Sequence, residues 1–131
     1  MTAAAIRETR IFTQAEFDRF AALSGDENPI HVDAAFSAGT RFGRPVAHGM
    51  LLYAALWALV RRHFPNAVQE TQDLMFPAPT YAGDAMRLEV DVLAVPAADL
   101  REIAVRMVAE ADGTVTLEGR TRIRLTGGEG R

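Results

Sequence analysis

A carboxylate and an imidazole stand five residues apart in Leu23-Ser24-Gly25-Asp26-Glu27-Asn28-Pro29-Ile30-His31. Gly25 and Pro29 interrupt a periodic backbone, and the side chains of Asp26 and Asn28 can bond nearby amides, so the stretch predicts a loop rather than a regular helix. A loop of this kind can aim both side chains into one small space. There an ionised Asp26 can take a proton from water, and the imidazole of His31 can carry the partner proton. Asn28 either fixes the loop or hydrogen-bonds the water, with Ser24 beside it. The same residues also suit an ordinary turn in which the acid caps the next helix and the imidazole is merely exposed.

A second chemical feature lies at His48-Gly49-Met50. These residues open an apolar run, and the first turn of a helix presents unpaired N–H groups and the positive end of its dipole. Gly49 has no Cβ, so a carbonyl oxygen that gathers negative charge can approach its N–H closely. His48 is expected to orient the loop or cap the helix before it does chemistry itself. His63 reads as a partner for the dipole at the other end of the run.

The elements that must position these groups follow from periodicity. Ile6–Phe12 reads as a short strand. Thr13-Gln14-Ala15-Glu16 has the form of a capping box, and Phe17, Phe20, Ala21 and Ser24 recur at helical spacing, which predicts an amphipathic helix over 14–24 ended by Gly25. Asp33 can cap a helical turn at Ala34–Ala38, and Gly39–Ala47 is an irregular connection. Met50–Val60 has no polar face and predicts a helix buried on every side, with Arg61, Arg62 and His63 at its C-terminal end and Pro65 as its stop. After a less regular strand over Val68–Phe76, the period becomes two. Met86, Leu88, Val90 and Val92 form one apolar face; Ile103, Val105, Met107 and Ala109 another; Val115, Leu117, Thr121, Ile123 and Leu125 a third. Asp112-Gly113 marks a hairpin between the last two. Gly127–Arg131 reads as a frayed tail. Helices first and strands after imply an α+β domain with an antiparallel sheet of about five strands against one buried helix. So small a sheet cannot enclose that helix alone, which predicts a second chain.

Three blocks carry a family resemblance, in order and over most of the chain: Ser24-Gly25-Asp26-x-Asn28-Pro29-Ile30-His31 with Ala35; Phe42-Gly43-Arg44-Pro45-Val46-Ala47-His48-Gly49-Met50; and Phe76-Pro77-x-Pro79 with Gly83-Asp84. They resemble the MaoC-like (R)-specific enoyl-CoA hydratases and dehydratases. The resemblance implies the hot-dog fold, in which the sheet wraps the central helix, and dimers whose sheets join edge to edge. It implies that Asp26 and His31 activate one water for syn addition to a trans-2-enoyl thioester, giving a (3R)-3-hydroxyacyl product, and it assigns the oxyanion role to Gly49. The carrier would be coenzyme A or an acyl-carrier protein. Tyr53 and Trp57, at i and i+4 on the face counted on from Gly49, would border the acyl pocket, unless Trp57 simply packs in the core. Polyhydroxyalkanoate-linked relatives have a small hydroxyl residue where this chain has Trp57, a departure that bears on the acyl group accepted. The match implies no cofactor.

Composition sets the remaining bounds. A chain of 131 residues is expected to be one domain, 1–131, and 49% hydrophobic residues are enough for a core. A net charge of −3 without a basic run argues against nucleic acid as a partner. Cys is absent and only three His are present, so disulfides and thiol nucleophiles are excluded and a metal site has little support. Met1–Ala5 lacks a signal pattern, and the longest apolar run is well short of the roughly 20 residues that span a bilayer. A soluble, cytoplasmic protein with no membrane partner is the expectation. Two rival readings are a hot-dog thioesterase, which often has an acid on the central helix where residues 49–60 have none, and a non-catalytic subunit of a heteromeric dehydratase, which would be expected to lack Asp26 or His31. Arg41 or Arg44 is a possible contact for CoA phosphates.

Overall fold

The computed structural model describes residues 5–127, and all but the first residue of the tail expected over 127–131 lies outside them. The chain begins with a strand, β1 (Ala5–Ile11), and the helix α1 (Gln14–Ser24). Thr13 and Glu16 form the capping box in full, each side chain bonded to the other's backbone N–H. The helix ends on Gly25 at φ +83°, where its N–H reaches Ala21 O at 3.0 Å. That left-handed turn suits a residue without a Cβ.

The segment expected to be an irregular loop contains a further short helix, α2 (Pro29–Val32). Asn28 accepts the Ile30 N–H at 3.1 Å as its N-cap, and Pro29 occupies the first turn. Proline has a φ already suited to a helix start and no N–H to leave unpaired there, so the residue read as a breaker is an initiator. Asp33 caps α3 (Ala34–Ala38) through a 3.0 Å bond from Phe36 N–H.

The apolar run forms α4 (Gly49–His63). Strands β2 (Ala67–Gln72), β3 (Ala85–Ala97), β4 (Leu100–Ala109) and β5 (Val115–Leu125) then complete one antiparallel sheet, in the order β1-β3-β4-β5-β2. Met86, Leu88, Val90, Ile103, Val105, Met107, Leu117 and Ile123 turn inward onto Leu52, Ala55, Leu56, Leu59 and Val60 of α4, and Phe12 and Phe17 close the core. The alternation slips between β4 and β5. The register shifts between Met107 and Val108, so Thr116 and Leu117 are neighbours in sequence and both buried.

Burial of α4 on every side does not occur within one chain. Met50 is 54% exposed, and Ala54 and Ala58, at i+4 and i+8 from it, are exposed as well. Five strands cover the opposite side of the helix and leave this stripe open. The segment after α4 also differs from expectation. Its ladder stops at Gln72 after a bulge between Gln69 and Thr71, and Met75 makes one isolated bridge to Glu118. From there residues 76–81 run past the N-terminus of α4.

Candidate active site

The turn between α1 and α2 holds Asp26 by local bonds. Its N–H donates to Ser24 Oγ at 3.1 Å, and its Oδ1 accepts the Asn28 N–H at 3.4 Å. Ser24 and Asn28 therefore shape the turn, and the Asn28 carbonyl is used as the cap of α2. The other carboxylate oxygen, Oδ2, lies 3.7 Å from His31 Nε2. The imidazole of His31 is buried on the inner side of α2, with Nδ1 2.8 Å from Val46 O. A carbonyl only accepts, so Nδ1 carries a proton and Nε2 is the nitrogen turned to Asp26.

His48 packs flat against His31, ring centres 3.8 Å apart and planes at 22°, with Phe20 at its edge. It is the residue before α4 and makes no side-chain cap bond. Its Nε2 lies 3.0 Å from the main-chain oxygen of Asp26. Burial pushes its basicity below the ordinary imidazole value; the neighbouring His31 adds to this, and contacts with Asp26 oppose it. Sequence reading expected His48 to be structural and did not join it to the pair. The spacing of 17 residues to His31 carries no periodic signal, and only the tertiary fold stacks the rings.

These groups line one cavity of about 780 Å³, with Ile30, Val46, Gly49, Leu52 and the segment Phe76–Tyr81 along its other walls. Gly49 is the first residue of α4, and neither its N–H nor that of Met50 has an acceptor among the described residues. A Cβ at Gly49 would lie 2.7 Å from Phe76 Cζ. The space left by the missing side chain is filled by an aromatic ring, a tertiary reason for glycine that its sequence position does not disclose.

Tyr53 and Trp57 are not among the residues of this cavity. Tyr53 Oη lies 2.8 Å from Gln69 Oε1 and 2.9 Å from Gln72 Oε1, facing β2, and Trp57 packs half-buried against the core. Each residue advances a helix by 1.5 Å, so Trp57 stands roughly 12 Å along the axis from Gly49. The aromatic residues that do line the cavity, Phe20, Phe42, Phe76 and Tyr81, all come from outside α4. Arg41 also lines it, whereas Arg44 is engaged elsewhere, 3.4 Å from Asp84 Oδ1 and stacked on the Tyr81 ring.

Asp26, His31 and His48 each offer a ligand atom, all within 4.8 Å of one another. Each ring also has one nitrogen on a main-chain carbonyl.

Comparison with known proteins places the chain in a family. The chain is 42% identical over 91 residues to an (R)-specific enoyl-CoA hydratase of Aeromonas caviae, 68% of each chain. It is 34% identical over 90 residues to a mitochondrial 3-hydroxyacyl-[acyl-carrier-protein] dehydratase of Arabidopsis thaliana, covering 69% of this chain and 54% of that one. The solved structure of the (R)-hydratase from A. caviae involved in PHA biosynthesis superimposes with a TM-score of 0.88 over 95% of this chain and 96% of that one, at 33% identity. The antiparallel sheet around α4 is thus the expected hot-dog fold. Residues 2–114 match the family described as MaoC like domain, and the chain belongs to that family.

Proposed function

We propose that this protein is a hydro-lyase that adds water across a trans-2-enoyl thioester to give a (3R)-3-hydroxyacyl thioester, and catalyses the reverse dehydration. The single observation that carries the reading is the 3.7 Å separation of Asp26 Oδ2 and His31 Nε2 on the wall of the cavity that also holds Gly49. One water seated on the cavity side of the pair can bond both groups. The pair begins with one transferable proton, on His31 Nε2. Asp26 takes a proton from the water as its oxygen bonds to C3, and the π electrons of the alkene move into an enolate. The N–H of Gly49 at the positive end of α4 accommodates the thioester oxygen as its charge grows. The enolate collapses by taking the Nε2 proton at C2. Asp26 is left protonated and His31 neutral, and transfer of that proton back to His31 restores the pair. Both new bonds form on the face that meets the one water, which gives syn addition. Acid–base groups of this kind contribute on the order of 10²–10⁴ in rate each.

The named relatives act on coenzyme A and on acyl-carrier-protein thioesters, and either carrier suits an open cavity of this size. The working form is a homodimer or higher homo-oligomer. The uncovered stripe of Met50, Ala54 and Ala58 supports this, since an apolar helix face left in water is a cost that association removes. Light scattering of the purified chain tests it. No helix is long and apolar enough to cross a membrane among the described residues.

Assay of the purified protein with crotonyl-CoA tests the reaction. Loss of enoyl absorbance with formation of (3R)-3-hydroxybutyryl-CoA is expected. Release of free thiol would identify a thioesterase instead, and silence that ends only when a second, different chain is added would identify a subunit of a heteromeric enzyme.

A further inference from the structure

We infer that His48 is a positioning residue, whose Nε2–H holds the main-chain carbonyl of Asp26 and thereby sets where the Asp26 carboxylate stands relative to His31. The inference rests on the proposed role of that pair. Asp26 has a side chain 54% exposed, on a turn whose other bonds to it, from Asn28 and to Ser24, are internal to the turn. The bond to His48 spans 22 residues and ties the turn to the start of α4. His48 is also joined covalently to Gly49 and stacked on the ring of His31. One side chain thus links the carboxylate, the imidazole and the first N–H of the helix.

The tautomer follows from the partners. The carbonyl of Asp26 can only accept, so the proton of neutral His48 is on Nε2 and its Nδ1 is a bare lone pair. That nitrogen is buried and has no hydrogen-bond partner. Such an unmatched atom is a cost, and the fold tolerates it where the other nitrogen has a task. The ring is 2% exposed, so the side chain has no freedom to release the turn without local unfolding.

Two variants separate the N–H from the ring. His48→Phe keeps a flat ring against His31 and Phe20 and removes the donor. His48→Gln removes the ring and keeps an N–H at the distance of Nε2. Phe is expected to lower kcat roughly 10- to 100-fold, as small misplacements of a catalytic group do, with KM within about twofold. Gln is expected to retain most of kcat. Hydrogen exchange at the amides of residues 26–28 should quicken in the Phe variant and stay slow in the Gln variant. Wild-type kcat with slow exchange in His48→Phe would overturn the inference, as would equal losses in both variants, which would make His48 a packing residue only. If the wild type turns over no enoyl thioester, the proposed reaction fails, while the exchange measurement still judges the His48–Asp26 bond.

Discussion

His31 Nε2 stands 3.7 Å from Asp26 Oδ2, too far for a good hydrogen bond and near enough for a single water to join them. The two side chains differ sharply in setting, 10% and 54% exposed. A buried imidazole fixed through Nδ1 and a carboxylate at the rim make a rigid partner and an accessible one. Asp26→Asn and His31→Gln should each lower kcat by on the order of 10²–10⁴; Asp26→Asn, at the rim, should leave the melting temperature close to wild type, whereas His31→Gln also loses the stack on His48 and should lower it modestly. Steady-state kinetics with crotonyl-CoA beside thermal unfolding checks this. Retention of most activity by either variant would remove the mechanism.

Gly49 and Phe76 are predicted to be energetically coupled. A Cβ at position 49 would sit 2.7 Å from Phe76 Cζ, so Gly49→Ala must displace the ring along the cavity wall. The ring is 42% exposed and can yield, which keeps the stability cost small. Turnover should fall about 10²-fold, the scale of a lost or blocked oxyanion donor. Phe76→Ala makes room for the methyl group, so the double variant should recover part of that loss. A double-mutant cycle measures it. Strict additivity would show that the ring and the glycine act independently.

Trp57 should not set acyl preference. The family resemblance put it beside the acyl chain, with packing in the core as the equal alternative, and in the structure it packs half-buried against the core and is not among the residues lining the cavity. Trp57→Ser is expected to destabilise the fold by about 3 kcal/mol or less, as for removal of a half-buried aromatic, with the order of kcat/KM across C4, C6 and C8 enoyl-CoA substrates unchanged. Phe76→Ala, in the cavity wall, is expected to alter that order. A shift with Trp57→Ser alone would return the tryptophan to the pocket, by way of a partner chain.

Most elements could be read from the sequence, because each rests on a local signal: the Thr13–Glu16 box, the polar-free run into α4, the alternation of β3 and β4. The pairing of Asp26 with His31 was approachable for the same reason, being confined to one turn. What escaped was tertiary. The stack of His48 on His31, the ring of Phe76 over Gly49 and the turn of Tyr53 toward Gln69 and Gln72 join residues with no fixed spacing. Pro29 shows a different limit, since the residue that breaks one helix begins the next, and only the cap by Asn28 decides which.

Glu89 should make the protein sensitive to acid. It lies on the outer face of β3 with its side chain only 9% exposed, which is unusual for a lone carboxylate. Three strands supply its counter-charges: Arg87 Nε at 2.8 Å beside it, Arg106 Nε at 3.0 Å on β4, and Arg7 Nε at 3.8 Å on β1. Burial alone pushes the carboxyl up, yet the bond from Arg87 and the charges of Arg106, Arg7 and Arg87 outweigh it and hold the group below its ordinary value of 4.5. A folded-state value below the unfolded one means that the unfolded chain binds the extra proton. The stabilisation is therefore complete above about 4.5 and is lost as pH falls through the lower folded value. Glu89→Gln removes the charge at every pH. At pH 7 it should cost about 1–2 kcal/mol, the range for hydrogen bonds to a charged group, reduced because the arginines are partly solvated. As pH drops below 4.5, wild type should lose this advantage and the two melting temperatures should converge. Melting curves of both proteins from pH 7 to pH 3 provide the measurement, and a gap that stays constant across that range would show that the carboxylate's charge is not what ties the three strands together.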